Sequence, residues 1–193
     1  MPLTRKDFDV PPEPFNGDRE KDDIHLAVGR ALHTWEVVEH YLGSLYSTVL
    51  GAVVPVGALR AYGSISAFNV RQNMLNEAAD ALWQWAPNAD LETDFKRVLN
   101  ACNDAAARRA EIVHGLLIGE NQGSEESFFL FPSFHSSRKR DFQQKPKYIY
   151  TSIEIETLRT KFNLLTSEIT ALERAIRDWR DASLERSRAR SRL

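Results

Sequence analysis

The stretch Arg108-Arg109-Ala110-Glu111-Ile112-Val113-His114-Gly115 closes the third of four long amphipathic patterns in the chain. On a helical wheel of about 100° per residue, Phe95, Val98, Cys102, Ala105, Ile112 and Leu116 share one apolar stripe. Arg109 falls close to the centre of that stripe, and Arg108 falls on the flank where solvent is expected. A guanidinium on an apolar seam is costly unless paired, because it keeps its charge at ordinary pH. Arg109 therefore calls for a carboxylate, a subunit interface or a bound phosphate. Glu36 and Glu39 of the first helical pattern are the candidates for a bundle salt bridge. Gly115 and Gly119 are the candidate stop signals of this helix, which is expected from about Leu91 to His114 after a cap at Asp90.

Upstream, Ile24, Val28, Ala31, Trp35, Val38, Leu42, Leu45 and Val49 step alternately by four and three, an amphipathic helix from about Asp22 to Leu50. Residues 51–63 read as a loop, with Pro55 and two flanking glycines. Ser64 is placed to cap a second helix running to about Ala86, with Phe68, Leu75, Ala78, Leu82 and either Trp85 or Ala86 inward. Before all of these, residues 1–21 are polar and dotted with proline, an extended or disordered arm from which Phe8 and Phe15 are candidates to dock on the body.

Downstream, residues 116–150 change character. Phe128-Phe129-Leu130-Phe131 and Lys147-Tyr148-Ile149-Tyr150 are aromatic and β-prone, pointing to a small antiparallel sheet of two or three strands. Thr151 with Glu154 forms a capping box for the last helix, whose stripe runs from Ile155 through Leu158, Phe162, Leu165, Ile169, Leu172 and Ile176 to Trp179. Residues 186–193 follow as a basic, solubilising tail carrying Arg186, Arg188, Arg190 and Arg192. The expected fold is all-α: an antiparallel four-helix bundle over residues 22–185, with the β insert before its last helix.

A chain of 193 residues suits one domain, and 42% apolar with 27% charged residues is ordinary for a soluble globular protein. A net charge of -2 supplies no global field to draw in nucleic acid, so any such attraction must be local. The single cysteine, Cys102, excludes an intrachain disulfide and fits a reducing cytoplasm, where it reads as a small core residue. No basic-then-apolar leader and no apolar run of membrane-spanning length is present, so no membrane association is expected.

The chemistry concentrates in Arg109 and His114. An arginine grips phosphate oxygens in bidentate fashion and stabilises charge developing in a transition state; a histidine serves as general base or acid. His114 lies about 140° around the helix from Arg109, so meeting would require the long arginine side chain to swing at the helix end. On the histidine's flank lie Ala110, Ala107 and Asn103, a shelf of small and polar residues.

Arg109-Ala-Glu-Ile-Val-His114, late in the third helix of a four-helix layout, resembles the Arg-x4–6-His signature of the HEPN superfamily (higher eukaryotes and prokaryotes nucleotide-binding). The resemblance covers residues 22 to 185 as layout. It implies a metal-independent endoribonuclease acting on single-stranded RNA, a homodimer with two motifs in one composite cleft, and no cofactor. Arg109 would then hold the scissile phosphate and His114 would transfer protons, with Arg108 on backbone phosphates. Asn103 would supply an amide, and Glu36 and Glu39 would support the arginine. A toxin or phage-defence setting, with an antitoxin or regulatory protein as partner, goes with this resemblance. Two departures stand against the family pattern: Ala110 replaces a polar residue that commonly follows the arginine, and Leu116 stands where some toxin members carry a tyrosine. Ala110 keeps a second reading open, a non-catalytic module of the same fold that binds RNA, a nucleotide or a protein.

Two further features carry charge. Arg138, Lys139 and Arg140, with Lys145 and Lys147, interleave with Phe134, Phe142, Tyr148 and Tyr150; cations beside aromatic faces suit single-stranded RNA, although a solvated loop has the same composition. His33, Glu36 and His40 lie on nearby turns of the first helix, but a metal site needs further ligands and no metal is expected.

Overall fold

Helix α1, Lys21–Val49, buries Ile24, Ala31, Trp35, Val38, Leu42, Leu45 and Val49, the alternating stripe of the sequence. Asp22 and Asp23 sit in its first turn, where carboxylates meet the positive end of the helix dipole. Its other end closes in a Schellman arrangement: Ala52 N–H donates to the Ser47 carbonyl at 3.1 Å and Gly51 N–H to that of Thr48 at 3.0 Å. Gly51 adopts φ 63°, the left-handed conformation this closure requires. Arg180 donates to the Thr48 carbonyl at 2.6 Å, placing a cation on the negative helix end.

The computed structural model describes residues 2–9, 11, 14, 16–122, 125–132 and 148–190, with backbone alone at 5, 121–122, 125 and 186–190. It is mostly helical, with one small antiparallel sheet between the fourth and fifth helices. Residues 51–63 are not all loop, because Pro55–Gly63 forms a short helix, α2. Pro55 occupies the first turn, where its missing N–H costs nothing and its fixed φ suits the helix. Buried Tyr62 anchors α2, its ring 5.3 Å from that of Tyr46.

Ser64 accordingly closes α2 instead of opening the next helix, its N–H donating to the Arg60 carbonyl at 3.0 Å. Helix α3, Phe68–Trp85, starts at Ala67 without a side-chain cap. It buries Gln72, Leu75, Ala79, Leu82 and Trp83, while Trp85 is 59% exposed. The inner face differs from the expected one because Trp83 meets aromatic partners, Phe95 at 6.2 Å and Trp179 at 5.6 Å. In helix α4, Ala89–Val113, the cap falls to Asn88, whose Oδ1 accepts the Leu91 N–H at 3.2 Å, not to Asp90.

Strands β1, Leu116–Gln122, and β2, Glu125–Phe131, pair antiparallel with Leu116 opposite Phe131 and Gln122 opposite Glu125. A third strand does not form among the described residues. The far edge of β2 instead takes two single bridges, Phe128 with Asp18 and Leu130 with Tyr150. Helix α5, Ser152–Arg190, is capped as expected: the Glu154 carboxylate accepts the Thr151 N–H at 2.8 Å. The helix continues well past Trp179, so residues 186–190 of the basic tail are helical.

Two compact units emerge. One comprises residues 1–4, 37–103 and 164–193, the other 5–36 and 104–163; α1, α4 and α5 each contribute to both. In the first, Glu173 is 6% exposed and accepts hydrogen bonds from Ser44 and Thr48, each at 3.0 Å, as well as from Arg177. A buried carboxylate is tolerable on those terms. Leu3 of the arm is buried in this unit, with Arg97 donating to its carbonyl at 2.9 Å.

In the second unit, Phe162 lies 6.3 Å from Phe8 and 5.3 Å from Trp35. Much of the arm is therefore held in place, through Leu3, the 3-10 turn Arg5–Phe8 and Asp18; Phe15 lies outside the described residues. The Asp18 carboxylate accepts the Ser152 N–H at 2.7 Å and its hydroxyl at 2.5 Å, at the start of α5. Among the described residues no helix is long and apolar enough to cross a membrane.

Gly115 joins α4 to β1 where Leu130 leaves no room. A Cβ there would lie 2.7 Å from Leu130 Cγ and 3.0 Å from the Glu111 carbonyl oxygen. At Gly119 the nearest obstacle, 2.5 Å away, is the movable end of the Glu126 side chain. Gly115→Ala should lower unfolding free energy by about 1–3 kcal/mol, and Gly119→Ala by less than about 1 kcal/mol, as read from urea denaturation.

Candidate functional site

The last turns of α4 and the hairpin after them belong to the second unit, and two adjacent arginines there meet different fates. Arg108 does not point into solvent; its side chain is 14% exposed. The segment leading into α5 covers that flank, and its guanidinium lies 5.3 Å from the centroid of the Tyr148 ring. Arg108 pairs with Glu111 at 2.9 Å and donates to the Tyr148 hydroxyl at 3.0 Å. Tyr148 in turn donates to Glu111 Oε1 at 2.5 Å, and Tyr150 donates to Glu111 Oε2 at 2.6 Å. The tyrosine rings meet edge to face at 5.8 Å.

Both oxygens of the Glu111 carboxylate are engaged in this network, while the Arg108 Nε is buried without a partner among the described residues. Burial foremost, and then the Glu111 carboxylate, push the Tyr148 pKa up from 10.0 to about 12. Tyr150 moves further in the same direction, for the same reasons. Burial would lower the Arg108 pKa, but Glu111 and the two tyrosines outweigh it and the value rises.

Arg109 is held differently. Its side chain is 32% exposed, and its nearest carboxylate is Glu36 of α1, with 3.9 Å between Nη2 and Oε1. That separation exceeds a hydrogen bond and leaves a loose Coulombic contact. Glu36 itself is 66% exposed. The Nε of Arg109 is buried and has no hydrogen-bond partner among the described residues. Glu39, the other carboxylate expected near Arg109, pairs instead with Arg71 in the first unit.

His114 stands one residue past α4, exposed, its N–H still donating to the Ala110 carbonyl at 3.1 Å. Leu116, expected on the apolar stripe, belongs to β1 and is 50% exposed. Asn103 is exposed on α4. The cations Arg138, Lys139 and Arg140, with their neighbours from 133 to 147, lie outside the described residues. Among the described residues no group of three or more His, Cys, Asp and Glu side chains is arranged to hold a metal ion, the His33, Glu36 and His40 set included.

Glu111, Tyr148 and Tyr150 were not singled out together from the sequence. Two weak signals were there: Arg108 and Glu111 are three apart on a helix, and Tyr148 and Tyr150 are two apart in an extended segment. What remains chemically open is the set Arg109, Glu36 and His114.

Breaking the network leaves Arg108 buried without its counter-ion. Glu111→Ala should therefore lower unfolding free energy by about 2–4 kcal/mol in urea denaturation, somewhat below a fully buried pair because the side chains retain some exposure. Raised tyrosine pKa values favour the protonated phenols in the folded state. Their contribution is complete below about pH 10 and is lost as pH climbs through about 12, so tyrosinate absorbance near 295 nm should rise late for these two residues and accompany unfolding.

Compared with family models, with curated proteins and with solved structures, the chain matches none.

Proposed function

We propose that this chain is a metal-independent endoribonuclease of the HEPN kind, cleaving single-stranded RNA. In that reading α1, α3, α4 and α5 are the long members of an antiparallel four-helix bundle, to which α2 and the hairpin are additions. The observation that carries it is the division of labour at the end of α4. Arg108 and Glu111 are tied up by Tyr148 and Tyr150, while Arg109, partly exposed, and His114, exposed just beyond the helix, stay open to a ligand.

Arg109 grips the non-bridging oxygens of the scissile phosphate and stabilises the charge that builds on them. His114 takes the proton from the 2′-hydroxyl as the 2′-oxygen attacks phosphorus. The P–O5′ bond breaks, the 5′-oxygen takes a proton from the imidazolium of a second copy, and a 2′,3′-cyclic phosphate remains. A homodimer brings the two imidazoles together. An antitoxin or regulatory partner and a cytoplasmic, toxin or phage-defence setting belong to the same reading. Ala110 favours a second one, a module that binds RNA, a nucleotide or a protein without turnover.

Incubation with single-stranded RNA in the presence of a chelator separates the two. The ribonuclease yields products ending in 2′,3′-cyclic phosphate, and His114→Ala and Arg109→Ala each lower the rate at least about 100-fold with the circular dichroism unchanged. Saturable binding without cleavage, surviving His114→Ala, would establish the binding module instead.

A further inference from the structure

We propose that Glu36 is a built-in counter-ion that occupies Arg109 until a phosphate displaces it, setting the threshold at which the site accepts an anion. This rests on Arg109 being a phosphate ligand and adds a regulator of that same site. Four arginine–carboxylate contacts of the structure set the comparison. Arg97 meets Glu168 at 2.6 Å, Arg108 meets Glu111 at 2.9 Å, and Arg71 meets Glu39 with both side chains mostly buried. Arg109 and Glu36, at 3.9 Å with two-thirds of the carboxylate exposed, form the loosest of these.

The Arg109 Nε is buried without an acceptor among the described residues, as are those of Arg71 and Arg108, while the Arg109 Nη2 lies 3.9 Å from Glu36 and the side chain is 32% exposed. At 3.9 Å the Glu36 carboxylate is beyond hydrogen-bond distance of Nη2, a gap that a ligand oxygen can close. A phosphate can bridge two guanidinium nitrogens at hydrogen-bond distance. Glu36 lies on the surface of its helix and has a solvated alternative. The exchange therefore frees a carboxylate into water and gives Arg109 the short contacts it lacks.

The test uses the full chain, labelled with ¹⁵N, and sodium pyrophosphate as the probe. A buried Nε–H exchanges slowly with water and gives a distinct resonance, assigned by its loss in Arg109→Gln. Pyrophosphate should shift that resonance saturably. Glu36→Gln should lower the apparent Kd roughly threefold to fivefold at low ionic strength, in keeping with an exposed ion pair, and the difference should shrink in high salt. Glu92→Gln, which removes the same charge from another surface, should leave the Kd unchanged. Equal affinity in the wild type and Glu36→Gln, or no shift in either, overturns the proposal. RNA cleavage is scored separately: a chain that binds pyrophosphate under Glu36 control but cuts no RNA keeps the counter-ion and loses the ribonuclease.

Discussion

A single carboxylate, that of Glu111, ties the end of α4 to the segment that leads into α5. It accepts two tyrosine hydroxyls and an arginine, and everything next to it inherits that geometry. Tyr150, fixed through its hydroxyl, also pairs its backbone with Leu130 and so holds the edge of β2 that faces away from β1. Leu130 in turn occupies the space that Gly115 leaves free, which sets where β1 departs from α4. Without the carboxylate, these groups would each have to find water in a place that admits little of it.

The contrast between Arg108 and Arg109 follows from this arrangement. Adjacent residues on a helix point about 100° apart, so only one of the two can lie beneath the covering tyrosines. The covered arginine becomes part of the scaffold, with short contacts and a raised pKa. Its neighbour keeps solvent access and a distant partner.

Long stripes were the legible part. The steps of α1 and α5 put eight apolar positions on one face, a signal that single exceptions such as half-buried Val28 do not blur. The short α2 was not legible, because Pro55, Gly57 and Gly63 read as loop punctuation although proline belongs naturally in a first helical turn. At the candidate site, the expected exposures of the two arginines are reversed, Arg108 being covered and Arg109 partly open. A wheel describes one helix in isolation, and the groups that bury Arg108 come from about forty residues later in the chain. Glu36 was visible as a possible partner of Arg109; that the contact would be loose depends on side-chain geometry that no spacing encodes.

Asp18 and Ser152 are separated by 134 positions, yet one carboxylate receives both the backbone and the hydroxyl of the serine. Contacts between such distant segments form slowly, because the loop between them must be closed first. On a ribosome the consequence is a matter of order. The segment around Asp18 is made before its partners on β2 and at the head of α5, which are synthesised more than a hundred residues later. That segment cannot settle until those partners have been made, and until then the apolar ring of Phe8 stays available to whatever attends the nascent polypeptide.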